Sequence, residues 1–250
     1  MNSPPLPALH DVSLVAVTSV ALQPTLEALR ASMRQANFGE VLLLSDRPPA
    51  GLSEGIIWHP IERLNSRGDY SRFMLGRLCE YIRTSHALCI QWDGFVLNGS
   101  AWAPEFMDYD YIGAVWPQFP DLQNVGNGGF SLRSRRLLRA CSHLPFDGSQ
   151  AEDVFICRIS RKRLEGAGMR FAPVEVARRF SFERTPPTGH EFGFHGAFNL
   201  APLLSPNEAD RLFRSLEPEL LARSERFELL QWALRRGRPK LALTMLKRLI

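Results

Sequence analysis

Gln91-Trp92-Asp93-Gly94-Phe95-Val96 follows the apolar run Ala87-Leu88-Cys89-Ile90. An apolar run that closes on a carboxylate and a glycine reads as a buried strand with one hard oxygen ligand at its C-terminal end. In open α/β sheets, ligands bind in the crevice outside such strand ends. Working upstream, residues 12–18 (Val-Ser-Leu-Val-Ala-Val-Thr) are β-rich and predict a first strand. Residues 23–35 carry Leu26, Leu29 and Met33 at helical spacing. Second and third strands are predicted at 40–46 and 55–60. Strand, helix, strand in this order implies a right-handed crossover and parallel pairing. No Gly-x-Gly-x-x-Gly follows the first strand, which argues against a dinucleotide site.

Downstream, a helix is predicted at 71–84 and strands at 109–114 and 128–133. Ser134 is placed to cap a helix over 135–141. A further helix is predicted over 152–165, ended by Gly166 and Gly168, and an extended segment starts at Arg170. Together these predict an α/β fold with a mixed, mainly parallel, Rossmann-like sheet flanked by helices. Helices predicted at 205–216, 218–236 and 241–249 form a small C-terminal appendage, which divides the chain into domains 1–204 and 205–250.

Apolar residues make up 45% of the 250-residue chain and charged residues 22%, enough to bury a full core without staples. Cys79, Cys89, Cys141 and Cys157 show no zinc-like spacing and read as buried free thiols. The start, Met1-Asn2-Ser3-Pro4-Pro5, lacks the basic and apolar parts of a signal peptide. No apolar stretch approaches the ~20 residues of a membrane span. The expectation is a soluble, cytoplasmic protein with no nucleic-acid partner. The net charge of +4 is mild, but from Arg235 onward there are six basic residues and no acidic one. That local excess suggests peripheral contact with an anionic membrane at its inner face.

Several residues could carry chemistry. Asp93 is either a turn aspartate or a ligand of Mn²⁺ or Mg²⁺, which need only one or two protein carboxylates beside substrate phosphates. His195, in Phe194-His195-Gly196, is either a packed histidine or a second metal ligand. Glu152 and Asp153 suit the first turn of a helix through its dipole. As a catalytic pair, Asp153 would be the general base and Glu152 would orient or bind. Gly126-Asn127-Gly128-Gly129-Phe130 is either a turn or a loop on which a sugar lies, with Asn127 donating to hydroxyls. It lacks the Lys and Ser/Thr of a P-loop. Arg72 would neutralise a diphosphate or form a surface ion pair, and Thr18 and Ser19 would touch a base or ribose. Gln91 and Trp92 join this donor-binding set with Gly128 and Gly129. Trp92, Trp102 and Trp116 are expected near the cleft, as sugar platforms or as core.

The order of Asp93, the glycine loop, the Glu-Asp pair and His195 resembles the GT-A fold glycosyltransferases. More closely, the chain is similar over about residues 12–200 to a bacterial family of uncharacterised, glycosyltransferase-like proteins. The motifs that carry the likeness are Gln-x-Asp-Gly-Phe, Tyr-Asp-Tyr-Ile-Gly-Ala, Asn-Gly-Gly-Phe-Ser-Leu-Arg, Glu-Asp-Val-Phe-Ile-Cys and Phe-Gly-Phe-His-Gly. The resemblance implies a GT-A-type fold, a metal held by Asp93 and His195, and Asp153 as base. The superfamily's Asp-x-Asp is here Gln91-Trp92-Asp93, with one acidic ligand, so the resemblance leaves strict metal dependence open. The implied activity is transfer of a sugar from a UDP-linked donor to a glycan or glycolipid hydroxyl in bacterial polysaccharide biosynthesis. The rival readings are a non-catalytic sugar-binding or scaffold protein and a metal-dependent nucleotidyl or phosphoryl transferase.

Overall fold

A computed structural model describes residues 5–249, apart from the side chain of Pro218. Residues 1–4, on which the signal-peptide reading falls, and residue 250 lie outside the described residues. The chain divides into two compact units between Phe194 and His195, where the sequence reading placed the boundary after residue 204.

The first unit is an α/β fold. Strands β1 (Ala8–Thr18), β2 (Asn37–Ser45), β3 (Ile57–Pro60) and β4 (His86–Ile90) pair in parallel. Short strands follow: β5 (Tyr111–Ile112), β6 (Ala114–Val115), β7 (Val125–Gly126) and β8 (Phe130–Ser134). Strand β8 joins β4 antiparallel and β5 joins β8, giving the order β3-β2-β1-β4-β8-β5. From β1 the chain moves outward to β2 and β3, then returns past β1 to β4. The strand order therefore reverses between β1 and β4, and their C-terminal ends open the crevice where this architecture takes ligands.

Strand β1 is buried on both faces, as a central parallel strand must be. Leu14 and Ala16 face a core shared with Leu26 and Leu29 of helix α1 (Leu22–Met33). Val15 and Val17 face the other way, toward Phe73 and Met74 of α2 (Arg67–Gly76) and Leu138 of α3 (Arg135–Ser142). The helix expected at 71–84 stops at Gly76, the poorest helix former in it after proline, and one 3₁₀ turn, Leu78–Glu80, follows. Ser134 caps α3 as expected, its Oγ accepting from Leu137 N at 3.0 Å.

The helix expected over 152–165 is broken into three. Helix α4 (Glu152–Val154) runs into a π turn, Phe155–Ile159, and then α5 (Arg161–Gly166). Ser160 N donates to Phe155 O at 2.8 Å, the wide i→i+5 bond of a π turn. That turn buries Phe155, Ile156 and Cys157 in succession, a wider arc than one face of an α-helix offers. Helix α6 (Val174–Phe180) was not foreseen; it precedes β9 (Ser181–Phe182), which pairs with β10 (Gly193–Phe194).

The second unit holds α7 (Ala197–Leu200), α8 (Pro206–Ser215), α9 (Arg223–Arg235) and α10 (Pro239–Lys247). The expected helix from Pro218 is a 3₁₀ turn at Pro218–Leu220 and a fresh start at Arg223, where Glu225 Oε2 accepts from Ala222 N at 2.8 Å. Among the described residues no helix is long and apolar enough to cross a membrane.

Candidate active site

Three segments meet at the C-terminal end of β4. Because β8 runs antiparallel to β4, the start of β8 lies beside the end of β4, with Ile90 opposite Phe130. The ladder extends one step further, Gln91 N donating to Gly129 O at 2.9 Å. The glycine loop is thus tied to the Gln91-Trp92-Asp93 turn. The same loop is tied to the Glu-Asp pair: Gly128 N donates to Asp153 Oδ2 at 2.8 Å.

In this loop the residue with positive φ is Asn127, at 74°. Its Oδ1 accepts from Gly129 N at 2.8 Å and from Phe130 N at 3.2 Å. This local bonding is what lets an asparagine take the left-handed conformation. The Asn127 side-chain amide oxygen therefore holds the turn together. The glycines serve close approach instead. A Cβ on Gly126 would overlap the Trp116 indole, and one on Gly128 would overlap Glu152 Oε1. The space at the Cβ position of Gly128 is filled by that carboxylate.

Glu152 is buried and paired with Arg133, whose Nη2 lies 3.0 Å from Oε1. Arg133 is fully buried on β8. Its Nε donates to Ser131 Oγ at 2.9 Å, and its guanidinium lies over the Tyr111 ring at 5.5 Å. Tyr111 in turn donates to Asn127 O at 2.9 Å. A buried ion pair is costly unless further bonds satisfy it; here Arg133 Nε and Nη2 are bonded, while Nη1 is buried with no hydrogen-bond partner among the described residues. Asp153 beside it is half-buried. Burial and the neighbouring Glu152 charge push its carboxyl up to about 6, while the Gly128 and Val154 N–H groups pull the other way. Each oxygen accepts one backbone N–H and keeps a second acceptor site. A carboxylate that titrates near neutral pH is suited to taking a proton from a hydroxyl.

Tyr70, Tyr111 and Arg133 went unassigned in the sequence. Tyr70, on α2, accepts from Gln91 Nε2 at 3.1 Å, and burial together with Glu152 raises its phenol pKa. The one available signal was Arg133, an arginine inside the apolar strand pattern Phe130-Ser131-Leu132-Arg133. Tyr70 gives no such signal, because its partners come from three distant segments.

The remaining residues are placed as follows. Thr18 and Ser19 end β1, buried at the switch point, where Thr18 Oγ1 accepts from Val20 N and Ser19 Oγ from Leu64 N. Arg72 takes the ion-pair alternative, bonding Asp69 Oδ1 at 3.1 Å and Asp147 O at 2.8 Å. Trp92 is half-buried past β4. The three tryptophans do not form one platform: Trp102 packs edge-on to Phe106 and Phe192, while Trp116 belongs to a different core with Phe119. Asp93 is buried just past β4 in the first unit. His195 opens the second unit, its carbonyl accepting from Asn199 Nδ2 at 2.7 Å. Among the described residues no group of three or more His, Cys, Asp and Glu side chains is arranged to hold a metal.

A family model described as "Protein of unknown function (DUF5672)" matches residues 56–195. No curated protein matches the chain. A crystal structure of the apo-form glycosyltransferase GlyE from Streptococcus pneumoniae TIGR4 is similar at 10% identity and a TM-score of 0.47, over 73% of this chain and 53% of that one. The chain thus spans about half the length of that structure.

Proposed function

Since the chain belongs to the DUF5672 family, whose description names no activity, we infer its function from its own residues: a glycosyltransferase that moves a sugar from a nucleotide-linked donor to a hydroxyl acceptor. One observation carries the reading. Asp153, with its carboxyl raised toward neutral pH, is bonded to a glycine loop that is itself bonded to the strand end at the crevice. In this reading the nucleotide lies across the ends of β1 and β4, near Thr18, Ser19, Gln91 and Trp92. Asp153 accepts the proton of the attacking hydroxyl, which adds to the anomeric carbon as the nucleoside diphosphate leaves. Arg133 pairs with Glu152, whose negative charge is one cause of the raised Asp153 pKa. Asp93 suits a Mn²⁺ or Mg²⁺ ion, because such ions accept a single protein carboxylate when phosphates supply the rest. Bound there, the ion would stabilise charge on the leaving diphosphate. A UDP-sugar donor, a glycan or glycolipid acceptor and a role in polysaccharide synthesis belong to the same proposal.

The test is turnover of nucleotide sugars. Wild-type protein should release nucleoside diphosphate from one member of a donor panel, slowly without acceptor and faster with it. Asp153→Asn should bind that donor and lose release. Binding with no release under any condition would leave a sugar-binding protein and remove the base.

A further inference from the structure

We propose that the second unit docks on an anionic lipid surface through the outward faces of α9 and α10. Both helices bury one face within the unit, Leu229 and Ala233 on α9 and Leu241, Ala242 and Met245 on α10. Their opposite faces are the unusual ones. On α9, Phe227 and Leu234 are seven residues apart, two helical turns on one stripe, and are 51% and 65% exposed. On α10, Leu243 and Leu246 are 52% and 47% exposed. An exposed leucine alone needs no explanation. Four large apolar side chains on the outer stripes of two helices that pack on each other do.

The charges around them indicate the occupant. Lys240 and Lys247 flank Leu243 on α10, three and four residues away, and Arg235 follows Leu234 on α9; all three are exposed. From Leu229 onward there is no acidic residue. Apolar side chains bordered by lysines match a bilayer interface, where the apolar groups enter the acyl boundary and the lysines reach phosphates. Not every basic residue here is available. Arg238 lies over the Trp232 ring at 5.9 Å, and Arg248 donates to Leu216 O at 2.6 Å and Arg214 O at 3.2 Å. These two hold the unit together, so the docking charge resides in the exposed Arg235, Arg236, Lys240 and Lys247.

Co-sedimentation of the full chain with vesicles tests this. Phosphatidylcholine vesicles containing phosphatidylglycerol should bind it at low salt and release it at high salt, and pure phosphatidylcholine should not bind it. Leu243→Ser with Leu246→Ser should abolish binding while the melting temperature stays near wild type. Lys240→Gln with Lys247→Gln should weaken it by roughly five-fold per lysine. Arg211→Gln with Arg214→Gln, equal in charge but on α8, should leave it intact. Equal loss in the α8 control would mean diffuse charge attraction and overturn the proposal. So would a wild-type protein that ignores anionic vesicles, or one that self-associates through Leu243 and Leu246, which would assign the face to a second copy. None of these outcomes depends on sugar transfer.

Discussion

At the scale of single residues, Asp153 is both a hydrogen-bond acceptor and the proposed base, and its substitutions separate the two. Asp153→Asn retains an acceptor for one of the two backbone N–H groups. Donor affinity by calorimetric titration should stay within a few fold of wild type, while turnover falls by about 10²–10⁴. The pH profile gives a second check. The base must be ionised, so turnover should fall as pH drops through about 6. Removing the neighbouring charge with Glu152→Gln should move that limb to lower pH, because the charge is one cause of the raised value. A limb that stays put would detach Glu152 from the base. Arg133 has the opposite signature. Arg133→Met strands the buried Glu152 carboxylate, at a cost of about 3–5 kcal/mol in urea unfolding. Adding Glu152→Met should restore much of that stability, since a buried pair replaced by apolar groups is often neutral, without restoring the wild-type pH profile. Gly128→Ala should destabilise by the same route, its Cβ pushing on Glu152 and Arg133. If it instead melts like wild type, the close packing of the loop on the ion pair is wrong.

At the scale of elements, Asp110 joins three pieces of backbone. At the start of β5, it accepts from Ser134 Oγ, from Nε and Nη2 of the Arg136 guanidinium and from Arg170 N. Although burial opposes it, these donors hold its carboxyl below the usual value. A depressed carboxylate stabilises the fold above its unfolded pKa and loses that contribution as pH falls through the folded one. Asp110→Asn should therefore lower urea stability at pH 7 by about 1.5–3 kcal/mol, and the deficit should shrink toward pH 3. A deficit constant with pH would mean packing, not charge. The longer elements were legible in the sequence because periodicity is a local property: β1, α1, β2, β4 and α3 lie close to their expected places. What was not legible depends on tertiary context. The π turn follows from three consecutive side chains finding core on several sides, and α6 is too short at seven residues to show a period. The site divides the same way. Asp93, the glycine loop and Glu152-Asp153 stood out by residue type, and the structure bonds the loop to Asp153 and to Gln91, two residues before Asp93. The Arg133–Glu152 pair could not be read, because it connects residues on a strand and a helix that meet only in the folded chain.

At the scale of the whole molecule, a nucleotide sugar should stabilise the unit that binds it. At a concentration ~100 times its dissociation constant, the right donor should add about 2.7 kcal/mol, visible as an upward shift in melting temperature across a donor panel with and without Mn²⁺. A shift that Asp93→Ala removes only in the presence of Mn²⁺ would support a metal at Asp93, and one that persists unchanged would refute it. The sheet order also has a consequence for how the chain is made. Strand β1 leaves the ribosome before the other strands of its sheet, yet it sits in the middle, between β2 and β4. Its second edge stays open until residues 86–90 emerge, and β4 in turn waits for residues 130–134. Throughout that interval the nascent chain presents an unpaired strand, apolar on both faces, which is a template for pairing with other chains. Synthesis stalled or truncated before His86 should therefore give a product that aggregates or is held by chaperones, while release after Ser134 should give one whose central strands are all paired.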